Sequence, residues 1–120
     1  MIGKKMKLSE IVKALEAEVL TENTDLEKDI TCAFASDLIS DILMCTKEPT
    51  LLLSGLTNPQ IIRLSDMIEL FGIVFVRGKK PSPDIIQMAN ERNLPLISSR
   101  FTMFKTSGIL FNIGLRSCKI

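Results

Sequence analysis

Apolar residues along this chain follow two alternating patterns: short consecutive runs of leucine, isoleucine and valine, and longer stretches in which they recur every three or four positions. The consecutive runs at 50–53 and 73–76 suit strands covered on both faces. Shorter runs at 19–20, 30–35 and 96–97 predict three more strands. Helical spacing fills the gaps. Ser9, ahead of Glu10, Ile11, Val12 and Leu15, is placed to cap a helix ending near Glu18. Ser36 or Asp37 can cap a second through Leu38, Ile39, Ile42 and Leu43, closed by Pro49. Asn58-Pro59 opens a third, carried by Ile61, Ile62, Leu64, Ser65 and Ile68 to near Gly72. Ser82-Pro83-Asp84 opens a fourth with Ile85, Ile86, Met88 and Ala89 on its apolar face, and a last helix is expected from about Thr102 to Arg116.

Strands alternating with helices predict βαβ units and parallel pairing. The expected fold is α/β: a three-layer single domain over residues 1–120, with a mainly parallel, partly mixed sheet of about five strands flanked by helices. Strand order stays open, because the Val19 and Ile30 segments can pair parallel or antiparallel to the rest.

Composition narrows the class. With 46% hydrophobic and 24% charged residues over 120 positions, the chain can bury a core and is not of the disordered kind. Fifteen Lys plus Arg against fourteen Asp plus Glu leave a formal charge of +1, too little to draw a phosphate backbone, so no nucleic acid partner is expected. The apolar runs are broken by glycine or charge before they reach a membrane span, and residues 8–20 carry charges where a secretory segment needs an apolar core. No membrane association and a cytoplasmic location are expected. Cys32, Cys45 and Cys118 lie far apart without a Cys-x-x-Cys pair, and are expected as reduced thiols packed like small hydrophobes.

Chemistry concentrates where runs meet polar turns. Arg77-Gly78-Lys79-Lys80-Pro81-Ser82-Pro83 sets three cations beside a helix start, with Gly78 free to take a positive φ. Two neighbouring turns supply Ser54, Gly55, Thr57 and Asn58, and Ser98, Ser99 and Arg100. If these line one edge, Gly55, Thr57, Asn58, Arg77, Gly78, Lys79, Lys80, Ser98, Ser99 and Arg100 form a candidate rim for an anionic small molecule or nucleotide. The competing reading is a solvated basic turn among residues that cap their own helices, and for Asn58 and Thr102 capping is favoured. Asp37 and Asp41, four apart, offer too few ligands for a divalent cation, so a cap at Asp37 and a solvated Asp41 are expected. Histidine is absent, as are the P-loop and Gly-x-Gly-x-x-Gly patterns. No catalytic residue, metal or cofactor is assigned, and no enzyme is expected.

The segment Ser54-Gly55-Leu56-Thr57-Asn58-Pro59, followed by Ile73-Val74-Phe75-Val76-Arg77-Gly78-Lys79-Lys80-Pro81, resembles the DRTGG domain family. Ser36-Asp37-Leu38-Ile39-Ser40-Asp41, Leu94-Pro95-Leu96-Ile97 and Phe101-Thr102-Met103-Phe104-Lys105-Thr106 support the resemblance, which runs from about Lys7 to Leu115. It implies the fold of the N-terminal domain of bacterial HPr kinase/phosphatase, commonly paired and attached to enzymes as a regulatory part, as in phosphotransacetylases and beside CBS domains in pyrophosphatases. Kinase activity is not implied, since it belongs to a separate P-loop domain. Leu56 and Thr57 stand where the family has its Asp and Arg, and Gly78 is the glycine retained from its Thr-Gly-Gly step. In these forms the chain is similar to a stand-alone clostridial subgroup often encoded near iron-only hydrogenase components, which implies regulation in redox or energy metabolism by association.

Two functions of different kinds follow. One is a non-catalytic regulatory or ligand-sensing domain, expected as a homodimer, that binds an anionic metabolite or nucleotide near residues 77–80. The other is a protein-interaction module that regulates a partner enzyme without a small ligand. Phe101, Phe104, Leu110, Phe111, Ile113 and Leu115 make the terminal helix more apolar than one buried stripe needs, which bears on the second. A third reading, an enzyme of phosphate chemistry, has no residues in named roles.

Overall fold

The computed structural model describes residues 5–45 and 48–119, with the backbone alone at Cys45. In chain order the elements are β1 (Met6–Lys7), α1 (Leu8–Leu15), β2 (Glu18–Val19), β3 (Asp29–Ile30), β4 (Cys32–Ala35), α2 (Ile39–Cys45), β5 (Thr50–Ser54), α3 (Pro59–Arg63), a 3-10 turn (Leu64–Asp66), β6 (Leu70–Phe75), α4 (Pro83–Glu91), β7 (Leu96–Ser98), α5 (Met103–Asn112) and β8 (Arg116–Ser117).

The main sheet has six strands in the order β2-β7-β6-β5-β4-β8. All its pairings are parallel except that of β2, which runs antiparallel along β7. β1 and β3 form a separate antiparallel ladder, Met6 opposite Ile30. Because neighbouring strand residues face opposite sides, Leu51 and Leu53 enter one core and Leu52 the other. The first core packs Ile11 and Leu15 of α1 and Leu110 of α5 against Leu51, Leu53, Val74 and Ile97. The second packs Ile42, Ile61, Ile62 and Ala89, from α2, α3 and α4, against Leu52, Ile73, Phe75 and Leu96. Helices therefore cover both faces, in the three layers that the alternating pattern predicts.

Several boundaries differ from the expectation. The run at 30–35 divides at Thr31, because Asp29–Ile30 pairs with β1 while Cys32–Ala35 joins the main sheet. The third helix stops at Arg63: the Ser65 hydroxyl donates to the Ile62 carbonyl at 2.8 Å, the 3-10 turn closes, and Leu70 is drawn into register with Thr50. Gly72 thus lies inside β6, where an added Cβ would come within 3.3 Å of the Pro95 carbonyl oxygen. The last helix ends at Asn112 rather than Arg116, since Gly114 at φ 116° turns the chain back to pair Arg116 and Ser117 with Cys32 and Ala33. At the first helix, Ser9 lies inside the first turn, Glu10 accepts the Lys7 N–H at 3.2 Å, and Glu16 in the left-handed region ends the helix after Leu15.

The cysteine expectation is corrected too. Cys32 and Cys118 are buried, but as a disulfide joining β4 to the residue after β8. The parallel β4–β8 ladder brings together two residues 86 positions apart, which no local spacing encodes. The Cys45 thiol lies outside the described side chains.

Candidate functional site

Parallel pairing aligns the carboxyl ends of four strands. Ala35 lies opposite Leu53, Ser54 opposite Phe75, and Phe75 opposite Ser98, so the turns after β4, β5, β6 and β7 share one edge of the sheet. The three loops carrying the ten candidate rim residues therefore meet along that edge.

The basic loop is folded tightly onto its neighbours. Arg77 and Gly78 are both left-handed, at φ 59° and 68°, and the reversal lets successive N–H groups reach inward. Arg77 N–H donates to the Phe101 carbonyl at 2.7 Å, Gly78 N–H to the Ser99 carbonyl at 2.7 Å, and Lys79 N–H to the Val76 carbonyl at 3.2 Å. These amides hold the loop, so any anion there would be met by side chains rather than by the loop backbone. The serines also point inward: Ser98 Oγ donates to the Lys79 carbonyl at 2.9 Å, and buried Ser99 Oγ shares a 3.0 Å hydrogen bond with Thr106 Oγ1.

The cations divide by partner. Lys80 pairs with Glu18 and Arg100 with Glu16, each at 2.7 Å. Lys79 is half-buried and donates to the Gly55 carbonyl at 3.1 Å. Arg77 is exposed, and among the described residues its guanidinium has no hydrogen bond or ion pair. Among the described residues the Thr57 hydroxyl also has no partner, whereas Asn58 Oδ1 accepts the Ile61 N–H at 3.1 Å and so caps α3.

Asp37 was read from the sequence as a helix cap; the structure gives it a different partner. Its Oδ1 accepts from Gly55 N–H at 2.6 Å and from Ser54 Oγ at 3.0 Å. Gly55 is thereby enclosed, and a Cβ there would lie 3.4 Å from Asp37 Oδ2 and 3.7 Å from Lys79 Nζ. Beyond Asp37, the α5 N-terminus adds to the edge. Thr102 Oγ1 accepts the Lys105 N–H at 3.2 Å, and the N–H groups of Met103 and Phe104 have no intrahelical acceptor. Phe101 is half-buried, and Arg100 and Lys105 approach its ring centroid to 4.8 and 4.3 Å. Sequence reading passed over Phe101, Lys105 and Asp37 as rim residues; their signal was only their adjacency to the polar turns.

The edge thus joins a free guanidinium, a helix N-terminus and a ring approached by two cations, groups suited to a phosphate and a planar base. The model of the DRTGG domain matches residues 10–113. The chain belongs to the DRTGG domain family. Its fold is similar to the crystal structure of the CBS and DRTGG domains of the regulatory region of Clostridium perfringens pyrophosphatase, complexed with the activator diadenosine tetraphosphate, at TM-score 0.66 and 16% identity. The alignment covers 87% of this chain and 45% of that one, so this DRTGG chain spans under half of the solved regulatory region. No curated protein matches it in sequence.

Three concavities of the DRTGG domain are lined by residues other than the ten of the candidate rim. One of about 310 Å³ runs between β4 and α5, lined by Phe34, Leu53, Phe111 and Leu115 among others. Two more, of about 280 and 460 Å³, adjoin the turns around Asn23 and Asn93, and around Asp66 and Arg92. Among the described residues no helix is long and apolar enough to cross a membrane.

Proposed function

We propose that this DRTGG domain is a non-catalytic, cytoplasmic sensor that binds an anionic ligand of the nucleotide class at the shared edge of β5, β6 and β7. The observation that carries the reading is Arg77: of the four rim cations it alone has a side chain with no hydrogen-bond or ion-pair partner among the described residues, and it sits on a loop fixed by three backbone hydrogen bonds. A rigid loop presenting an uncommitted guanidinium loses little conformational freedom when it meets a phosphate. Lys79, Thr57 and the first turn of α5 complete the rim, and the Phe101 ring offers a base a stacking face in exchange for one of its cations. The activator in the pyrophosphatase complex, with its adenines and phosphate chain, is of the same chemical class.

Thermal denaturation against adenine and guanine nucleotides, dinucleotides, acyl phosphates and inorganic phosphate tests this, because a ligand of the folded state alone raises apparent stability by mass action. A saturable shift is expected with a nucleotide, lost in the Arg77→Ala/Lys79→Ala/Lys80→Ala variant. A shift that survives in that variant, or none with any compound, rejects the site.

A second reading, docking onto another protein, rests on α5. Phe104 and Phe111 are 90% and 60% exposed, and Phe111 borders the apolar groove beside β4. In this reading α5 is the contact of a homodimer or of a regulated partner enzyme. Sedimentation of a Phe111→Asp variant decides it: a dimer that becomes monomer while staying folded supports α5 as the contact, and unchanged assembly removes it.

A further inference from the structure

Away from the ligand edge, β8 and the residues after it are fixed to β4 and to the turn before β5 by three kinds of contact. The ladder pairs Arg116 with Cys32 and Ser117 with Ala33, and Cys118 N–H donates to the Ala33 carbonyl at 3.0 Å. The Cys32 and Cys118 sulfurs are joined, with Cα atoms 4.8 Å apart and each residue only 3% exposed. The third contact is Glu48, from the turn before β5, whose Oε1 accepts the Lys119 N–H at 2.9 Å. Its carboxylate and the two sulfurs all lie within 4.8 Å of one another.

The Lys119 N–H occupies one Glu48 oxygen, and the second has no partner among the described residues; a neutral disulfide offers it none. Two thiolates do, once a cation lies between them. We propose that Cys32, Cys118 and Glu48 form a metal site in the reduced chain, taking one soft divalent ion of the zinc type, so that the last strand is held to the sheet by a disulfide or by a metal. The donor set of two sulfurs and one oxygen fits zinc, with water in the fourth position. Two sulfurs at about 2.3 Å from a tetrahedral ion stand about 3.8 Å apart. Rotation of the cysteine side chains opens that gap between strands already held by the ladder.

The chemistry balances with a phosphine as reductant. The phosphine takes the oxygen of one water and becomes its oxide, the S–S bond accepts two electrons, and the two hydrogens of the water leave two thiols. Zinc then replaces both thiol protons, which pass to buffer. A compartment that keeps thiols reduced favours the metal form, and an oxidising one the disulfide.

The full-length chain, reduced anaerobically with a phosphine and desalted, is titrated with Zn²⁺ alone by calorimetry in buffers of different ionisation enthalpy. Native mass spectrometry gives the stoichiometry. One Zn²⁺ per chain with release of close to two protons is expected, and none for the oxidised chain. Cys118→Ser weakens binding at least a hundredfold. Glu48→Gln, which keeps both sulfurs, weakens it at least tenfold, and Cys45→Ser leaves it unchanged. Co²⁺ then gives a sulfur-to-metal charge-transfer band in the parent chain that falls to at most about half its intensity in Cys118→Ser, where one thiolate is left. Circular dichroism establishes that each variant is folded, and Glu48→Gln remains decisive if Cys118→Ser is not. Absence of stoichiometric binding by the reduced chain overturns the proposal, as does affinity indifferent to Glu48→Gln or lost in Cys45→Ser.

Discussion

Replacing Asp37 with Ala tests whether a carboxylate at the end of β4 organises the turn after β5. Its Oδ1 receives two hydrogen bonds, from Gly55 N–H at 2.6 Å and from the Ser54 hydroxyl at 3.0 Å, and Ser54 is fully buried. A hydrogen bond to a charged acceptor contributes about 1.5–3 kcal/mol when its donor has nowhere else to turn. Both donors here share one oxygen of an exposed carboxylate, and Ser54 Oγ still accepts the Leu56 N–H at 3.1 Å, so the combined loss is set at about 2 kcal/mol. For a domain of this length that lowers Tm by about 8 °C. Asp37→Asn keeps a neutral acceptor and loses about half as much.

Urea denaturation at fixed slope gives the free energies, with exposed Asp41→Ala as the comparison at no more than about 0.5 kcal/mol. In the double variant with Ser54→Ala the losses fall short of additive by at least about 0.5 kcal/mol, because the two residues share a hydrogen bond. Affinity moves the other way. Asp37 and Lys79 flank the same glycine, so removing the negative charge strengthens binding of a phosphate-bearing ligand by about threefold at low salt. A stability loss equal to that of Asp41→Ala, or fully additive energies with Ser54→Ala, would falsify the account of this turn.

Three further outcomes follow from local geometry. Gly78→Ala loses about 1 kcal/mol by chemical denaturation, because φ is +68° and, with nothing within 4 Å of an added Cβ, only backbone strain is introduced; an unchanged midpoint contradicts this. Asp66 is held below its ordinary 3.8 chiefly by the Arg92 hydrogen bonds to it; desolvation opposes them, and the charges of Arg92 and Arg63 add lesser lowering effects. Its folded value lies below the unfolded one, so this stability is complete above 3.8 and disappears as pH falls through the folded value. Arg92→Leu therefore flattens the acid limb of Tm against pH between about pH 5 and about pH 2, and a parallel limb refutes the pairing. Breaking the Cys32–Cys118 bond without metal, across a separation of 86 residues, lowers stability by about 4–5 kcal/mol on loop-closure entropy, measured by denaturation with and without reductant; a change under about 1 kcal/mol excludes a stabilising link.

The elements legible in the sequence are those whose signal is local. The run at 50–53 is apolar at every position because β5 is covered on both faces, and Asn58-Pro59 caps the helix it precedes through a bond to Ile61. β8 was hidden for the opposite reason. It has two residues, both polar in type, at the end of an apolar stretch that continues the helical pattern, and it exists because β4 has a free edge for it. The same pairing places Cys118 beside Cys32. Asp37 was misread because an aspartate before an apolar run is a good cap, while the competing donors on Ser54 and Gly55 lie 17 and 18 residues away.

The rim shows most sharply where local reading ends. In the sequence Arg77, Lys79, Lys80 and Arg100 are interchangeable cations in polar turns. What distinguishes them is the antiparallel strand β2, which lays Glu18 opposite Ser98 and brings Glu16 and Glu18 from the end of the first helix to the turn of β7. Those acids reach Lys80 and Arg100, while the Gly55 carbonyl on the β5 side takes Lys79. Arg77 lies between the two sources of partners, on a loop whose left-handed turn aims its backbone inward. Its availability is thus a consequence of strand order and of the two acids at β2, neither of which has any mark near residue 77. A charge reversal at Glu16 or Glu18 would alter which cation is free without touching the basic loop itself, so the anion selectivity proposed for this edge depends on the strand farthest from β5 as well as on the loop that carries the charge.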